Sequence, residues 1–347
     1  MSEKLRVGIL GATGMVGQRF ITLLNDHPWY TIEVLAASPR SAGKAYKDAV
    51  GAKWAMDEEI PASVADMVVM DATNDVEKIA EKVDFVFCAV NMPKDQIKAI
   101  EERYAKAEVP VVSNNSANRW TPDVPMVVPE INPEHLEVIK YQRERLGTKR
   151  GFICVKPNCS IQSYTPALNA LKEFGPKLVV ATTYQAISGA GKTFEQWPEM
   201  VENIIPYIGG EEEKSEKEPL RIWGHVDDAK KQIVPAASPV ITCQCIRVPV
   251  LNGHTAAVFV KFKKKPTKEQ LIEALRRAEA EVADKYFPND ADAVAKYETY
   301  TQTVQVTNEL PGLPVSVLGP YSLKQKVSQE TVAEFHSEGK ALQTAYT

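Results

Sequence analysis

The stretch "LRVGILGATGMVGQRF" (5–20) constrains the fold more than any other part of the chain. Residues 5–10 read as a short apolar strand. Gly11, Gly14 and Gly17 follow in a G-x-x-G-x-x-G pattern, and helical spacing begins at once. A strand, a glycine turn and a helix form the first unit of a parallel, doubly wound α/β sheet. A glycine turn lets the backbone approach a pyrophosphate, and the helix start offers N–H donors and a positive dipole end. The alternation continues with strand-like "TIEVLAAS" (31–38), "DFVFCAV" (84–90) and "PVVSNNS" (110–116). Helix-like "MPKDQIKAIEERYAKAE" (92–108) lies between the last two. The pattern predicts a dinucleotide-binding domain over residues 1–155.

The second strand bears on which dinucleotide is bound. An NAD site usually carries an acid about 20 residues after the glycines. Here the strand runs into "LAASPRSAGK", which has no acid but offers Ser38, Arg40 and Ser41. An arginine flanked by hydroxyls suits a ribose 2′-phosphate through forked, charge-assisted bonds. NADP is therefore expected, the alternative being that Arg40 is only a solvated loop residue.

The second half of the 347-residue chain reads differently. "IQSYTPALNALKEFG" (161–175) has helical spacing, "KLVVATTYQAIS" (177–188) is strand-like, and "EQWPEMVENIIPYI" (195–208) reads as a helical lid. "CQCIRVPVLNGHTAAVFVKFK" (243–263) reads as two strands joined by a turn at Asn252–Gly253. "TKEQLIEALRRAEAEVADKYF" (267–287) is an amphipathic helix. Strands with helices to one side predict an α+β domain over 156–320, leaving 321–347 as a tail. On charge alone, "GEEEKSEKE" (210–218) reads as a solvated loop.

The net charge of −4 gives no footprint for nucleic acid or an anionic membrane. No run approaches the roughly 18 apolar residues of a membrane span, and the N-terminus has no long apolar signal core. Five cysteines, an odd number, argue against a disulfide framework. A cytoplasmic setting with reduced thiols is expected. Structural zinc sites usually join two cysteine pairs. In "CQC" (243–245) strand alternation instead puts both sulfurs on one face, as buried cysteines.

That leaves "KPNCSI" (156–161). Cys159 stands before a helix-like segment, and a helix start favours a reactive thiolate. Of five histidines, His254 in "LNGHTAAV" is the best candidate for proton transfer, beside a glycine turn and shortly after Arg247. A structural histidine is the plainer alternative.

The motifs "GATGMVGQRF", "SPRSAGK", "SNNSANRWTPDVPMVVPEINPEH", "PNCS", "QAISGAG", "GGEEEK" and "RVPVLNGHT" occur in this order. Over residues 4–262 the chain resembles the aspartate-semialdehyde dehydrogenases, with the archaeal and fungal branch the best fit. The resemblance implies a Rossmann-type NADP-binding domain followed by a catalytic and dimerisation domain. It implies NADPH-dependent reduction of L-aspartyl 4-phosphate to L-aspartate 4-semialdehyde, in a homodimer or homotetramer. Cys159 would form a thioester, His254 would act as acid and base, and Gln185 would orient substrate or water. Arg247 would grip the substrate's α-carboxylate, Glu211 and Lys214 its amino and phosphate groups, and Arg119 the phosphate. Asn158 would also contact substrate. Thr13, Met15 and Val16 would join the glycines at the cofactor, as would Ser188 and Gly189. No metal is implied. The alternatives are a malonyl-CoA reductase of the same fold, N-acetylglutamyl-phosphate reductase, and a non-catalytic NADP-binding paralogue. The last is raised by the tail. Past residue 262 only "GLPVSVLGPYSL" (312–323) echoes the family pattern, and its closing Gly-Ala-Ala-Gly segment has no counterpart.

Overall fold

The computed structural model describes residues 4–286, 305–307 and 316–319. The chain divides into two compact units, each with its own sheet.

The first unit carries strands β1 (Leu5–Leu10), β2 (Tyr30–Ala37), β3 (Met70–Asp71), β4 (Phe85–Cys88), β5 (Val111–Ser113) and β6 (Ile153–Val155). They form one parallel sheet in the order β3-β2-β1-β4-β5-β6. The order reverses at β1, so this is a doubly wound sheet with its switch point beside the glycine loop. Helices α1 (Met15–Leu24), α2 (Tyr46–Val50), α3 (Ala62–Ala65), α4 (Val76–Ala80), α5 (Lys94–Lys106) and α6 (Ile139–Leu146) belong to the same unit. Apolar residues of β1 and β2 bury against α1 and Tyr46, in a cluster that includes Val7, Ile9, Ile21 and Leu35. Phe20 of α1 stacks on Phe87 of β4 at 4.6 Å between ring centres. Burial of this apolar surface is the main force holding helix to sheet.

The second unit opens with α7 (Cys159–Gln162) and α8 (Thr165–Ala170), then β7 (Pro176–Gln185) and α9 (Glu211–Ile222). The chain next forms a small antiparallel pair, β8 (His225–Asp227) with β9 (Gln232–Val234). Residues Gly224–Val234 belong to the first unit. The expectation of one continuous segment over 156–320 is corrected there: Ile233 N–H bonds to the Pro122 carbonyl, and His135 Nε2 lies 3.2 Å from the Gly224 carbonyl. The second unit resumes with β10 (Val240–Arg247), β11 (His254–Phe262), α10 (Lys268–Tyr286), β12 (Gln305–Thr307) and β13 (Ser316–Gly319). Its mixed sheet has the order β10-β7-β11-β13-β12. The tail at 321–347 lies outside the described residues.

Three sequence-based expectations change. The turn at Gly253 exists, with φ +93°, but β10 and β11 do not form a hairpin. Strand β7 lies between them, parallel to β10 and antiparallel to β11. The connection arches over the end of β7, where its carbonyls at Val250, Leu251 and Gly253 accept N–H bonds from Ile187, Ser188 and Ala186. The 195–208 segment is not a helix. A single 3₁₀ turn, Pro198–Met200, gives way to extended chain that bridges Ile205 to Arg247. Pro206 disfavours helical geometry at Ile205, the residue before it. The acidic run at 210–218 is not a loop but most of α9.

Candidate active site

Four side chains converge in the second unit because of strand register. Gln185 ends β7, opposite Arg247 of β10 on one side and His254 of β11 on the other. Paired residues in neighbouring strands point to the same face, so all three project together. All three are buried. Cys159, at the start of α7, completes the group with its Sγ 3.2 Å from His254 Nε2.

The imidazole is held on both edges. Its Nδ1 lies 3.1 Å from the Ala186 nitrogen, and the Gly253 carbonyl beside it favours a protonated ring. Burial, the largest single influence, disfavours imidazolium, but the bond to the Cys159 sulfur, that sulfur's charge and the Gly253 carbonyl together outweigh it and hold the His254 pKa above its ordinary value. A ring with this partner at Nε2 can take a proton from sulfur and return one to a reacting oxygen.

Arg247 donates from Nη1 to the Ala186 carbonyl at 2.7 Å. Gly189 lies where both rings of contact meet. A Cβ there would stand 2.7 Å from His254 Cε1 and 2.9 Å from Arg247 Nη1. Gly189, expected at the cofactor, leaves room for the His254 and Arg247 side chains. Ser188 is tied through its amide to the Leu251 carbonyl.

The segment after "PNC" is broken. Asn158 caps α7, its Oδ1 accepting from Ser160 N–H at 2.9 Å, but α7 lasts only four residues. Pro166 then starts the separate α8. So short a helix has little macrodipole, and His254 is the principal partner of the sulfur.

Helix α9 supplies the other half of the site. Glu211 accepts from Lys214 Nζ at 2.6 Å and from Asn158 Nδ2 at 2.9 Å. Burial raises its pKa, but Lys214 and the amides of Asn158 and Gln185 lower it more, so the carboxylate stays charged. Reading Glu212, Glu213, Glu216 and Glu218 as solvated charge holds only for Glu213, which pairs with Lys217 at the surface. Strand β10 is a sheet edge, and α9 covers it. Glu212 and Glu216 accept the edge N–H groups of Cys245 and Cys243. Glu218 is fully buried and accepts the Asn158 N–H at 2.6 Å. The four-residue spacing of Glu212 and Glu216 was the signal available in the sequence. Cys243 and Cys245 are buried free thiols on the face of β10 toward Ser215.

In the first unit, the glycine loop fits a pyrophosphate by its own geometry. Gly11 has φ +87°, and a Cβ there would strike Ala89 O at 2.5 Å. A Cβ at Gly17 would stand 2.3 Å from Gly11 O, so that glycine serves helix–strand packing. At Gly14 a Cβ would meet nothing closer than 3.5 Å within the protein. The space over Gly14 is open, and Gly14 caps α1 without a side-chain bond. Met15 and Val16 begin the first turn, whose N–H groups have no partner within the helix. Two buried residues absent from the sequence reading hold this loop. The Tyr46 hydroxyl donates to Ala12 O, and Gln18 Nε2 donates to Thr13 O. Ser38, Arg40 and Ser41 form the turn after β2, closed by a Ser41 N–H bond to the Ser38 carbonyl. That turn and the glycine loop follow neighbouring parallel strands, as a bound adenosine requires.

Arg119 also belongs to the first unit. It is buried, and donates from Nε to the Lys156 carbonyl and from Nη2 to the Asn114 carbonyl. The loop before it is organised by Glu101, a buried carboxylate that accepts from Ser113, Asn118 and Asn115. Burial raises the Glu101 pKa.

Residues 6–139 match the family model "Semialdehyde dehydrogenase, NAD binding domain". Residues 168–318 match "Semialdehyde dehydrogenase, dimerisation domain", so the match continues beyond residue 262 into β13. Aspartate-semialdehyde dehydrogenase of Methanothermobacter thermautotrophicus is 44% identical over 259 residues, 74% of this chain and 71% of that protein. The Schizosaccharomyces pombe enzyme of the same name is 43% identical over 273 residues, 78% of this chain and 74% of that one. A solved structure of aspartate semialdehyde dehydrogenase with NADP from Candida albicans superposes with a TM-score of 0.74 at 34% identity. It covers 91% of this chain and 93% of that one.

Proposed function

The chain belongs to the aspartate-semialdehyde dehydrogenase family, and from that premise we propose how its residues carry out the reaction. The reaction is reduction of L-aspartyl 4-phosphate by NADPH to L-aspartate 4-semialdehyde and inorganic phosphate, in the biosynthesis of the aspartate-derived amino acids lysine, threonine and methionine. The observation that carries the assignment of roles is the 3.2 Å approach of Cys159 Sγ to His254 Nε2, beside Gln185 and Arg247 in one register row.

Cys159 thiolate attacks the acyl carbon, a C–S bond forms, the C–O bond to phosphate breaks, and inorganic phosphate leaves. The thioester keeps the carbonyl electrophilic. NADPH, when bound, would supply hydride to this carbonyl. His254 protonates the resulting oxygen to give a thiohemiacetal. It then takes that proton back as the C–S bond breaks, and delivers it to the departing sulfur. Arg247 suits the α-carboxylate, because its planar fork makes two parallel bonds. Glu211 suits the α-ammonium and Lys214 the phosphate, with Arg119 as a second phosphate cation. Gln185, whose amide reaches Thr183 and Glu211, suits the substrate carbonyl or a water. The cofactor's pyrophosphate would lie over Gly14 at the start of α1, with its 2′-phosphate at Ser38, Arg40 and Ser41. Ser188 would meet the nicotinamide end.

We also propose that the enzyme is a homodimer or higher homo-oligomer joined through the second unit. Its sheet leaves Leu178, Val180, Tyr184 and Val240 exposed on one face, an apolar strip that a second copy would cover. No helix among the described residues is long and apolar enough to cross a membrane. Free thiols at all five cysteines suit the reducing cytoplasm.

Trapping the acyl-enzyme tests the mechanism. Incubation with L-aspartate semialdehyde and NADP⁺ without phosphate should add one aspartyl acyl group to the Cys159 peptide, read by mass spectrometry. Acylation elsewhere, or none while NADPH forms, would rule out Cys159 as the nucleophile.

A further inference from the structure

The backbone just before the nucleophile is pinned by a carboxylate that no catalytic role requires. Glu218 lies in the second half of α9, 60 residues from Asn158, and its Oε2 accepts the Asn158 N–H at 2.6 Å. The same helix touches the nucleophile segment at three further points. Glu211 accepts from the Asn158 side chain. The Ser215 hydroxyl lies 3.3 Å from that of Ser160. The Ser215 carbonyl accepts from the Tyr164 hydroxyl at 3.1 Å.

The last contact follows from an oddity of sequence. Pro219 sits inside α9, where it has no N–H to give the carbonyl four residues earlier. That carbonyl is Ser215's, and buried Tyr164, at the N-cap of α8, fills the vacant acceptor. A proline that would otherwise weaken the helix thus creates the acceptor through which α9 grips the chain beyond Cys159. Glu218, the residue before this proline, grips the chain ahead of it. The one-turn α7 cannot hold its own orientation, so the direction of Cys159 depends on what α7 packs against, α9 included.

We propose that Glu218 is a positioning residue for the nucleophile: its carboxylate fixes the Asn158 amide and so aims Cys159 Sγ at His254 Nε2. The proposal rests on Cys159 being the nucleophile, and adds that α9 links the substrate-side pair Glu211 and Lys214 to it. Asn158 carries that link, since its side chain bonds to Glu211 and its backbone to Glu218.

The test compares Glu218→Gln with Glu218→Met in the full-length protein. Both side chains are neutral and similar in size, but only the amide offers an oxygen to the Asn158 N–H. Two readouts are taken, with the melting temperature as a control: kcat and KM for L-aspartate semialdehyde, and the iodoacetamide alkylation rate of the Cys159 peptide. In Glu218→Met, kcat and the alkylation rate should each fall about tenfold, with KM changed less than about twofold. Glu218→Gln should keep both within about twofold of the unaltered enzyme. Equal losses in the two variants, or no loss in Glu218→Met, overturn the proposal. If Glu218→Met does not fold, Glu218→Asp takes its place, because the shorter side chain draws the carboxylate back from the Asn158 N–H. Slower alkylation with unchanged KM supports the positioning role of Glu218, and an unchanged alkylation rate overturns it. Alkylation reads the sulfur whatever the acyl substrate is. Absence of phosphate-dependent turnover in the unaltered enzyme would therefore count against the proposed reaction and not against the role of Glu218.

Discussion

Cys159 and His254 stand 95 residues apart in the chain and 3.2 Å apart in space. The sulfur is delivered by a one-turn helix, the imidazole by the first residue of a sheet strand. Each would be unremarkable alone. We read them together as a nucleophile and its proton carrier, and the experiments below test that pairing.

Replacing Cys159 by serine leaves an alcohol that His254 cannot ionise to a useful extent near neutral pH. Turnover should fall by at least about a thousandfold, or about 4 kcal/mol in the barrier. NADPH affinity should stay within about twofold, because the glycine loop belongs to a separate unit. Steady-state kinetics and fluorescence titration of NADPH check the two halves. Retained turnover would remove the thioester from the mechanism.

The same substitution should change the titration of His254. The pKa is held up by the bond to Cys159, against burial and against the Arg247 charge. In Cys159→Ser the imidazole pKa should therefore drop, as read by NMR of labelled histidine. In the unaltered protein the folded-state pKa exceeds the ordinary value near 6.5. The resulting stability is complete below about pH 6.5 and is lost as pH rises through the folded value. The melting-temperature advantage over His254→Gln should be larger at about pH 6 than at about pH 9. An advantage that grows with pH would reverse the assignment.

Gly189 separates two readings of one position. If it serves only the cofactor, Gly189→Ala should weaken NADPH binding. The geometry predicts another outcome, because the added methyl would press on His254 and Arg247. A tenfold to hundredfold loss in kcat/KM, on the order of 1.4–2.7 kcal/mol, is expected with NADPH affinity nearly unchanged. Kinetics beside a cofactor titration decide it.

Arg40 is exposed on the turn after β2. Arg40→Ala should weaken NADPH by roughly tenfold and NADH by less than about twofold, since only NADPH carries the phosphate that needs the guanidinium. Equal effects on both nucleotides would place the 2′-phosphate elsewhere.

Local chemistry carried the first half of the fold. Glycine spacing at 11, 14 and 17 and the strand–helix alternation predict a parallel sheet, and one forms. The second half depended on long-range pairing, which local signals do not encode. Asn252–Gly253 has hairpin chemistry, yet β7 inserts between β10 and β11, held by the amides of residues 186–188. The acidic run at 210–218 looked solvated because its charge is high. Its buried partners are backbone amides at Asn158, Cys243 and Cys245, which composition does not reveal. Cys159, His254, Arg247, Gln185, Glu211, Lys214 and Asn158 were all named from the motifs, and the second unit gathers them. Glu218 reads as solvated charge in the sequence, and Tyr46, Gln18 and Glu101 give no signal there, because each acts through a backbone or loop contact that exists only after folding.

The central claim is a phosphate-dependent reaction through Cys159, and its most direct measurement is the reverse assay. Purified protein is mixed with L-aspartate semialdehyde and NADP⁺, and absorbance of NADPH is followed with and without inorganic phosphate. The account predicts steady NADPH formation only with phosphate, none in Cys159→Ser, and none when coenzyme A replaces phosphate with malonate semialdehyde as substrate. Phosphate-independent turnover, or turnover on the coenzyme A thioester alone, would contradict it.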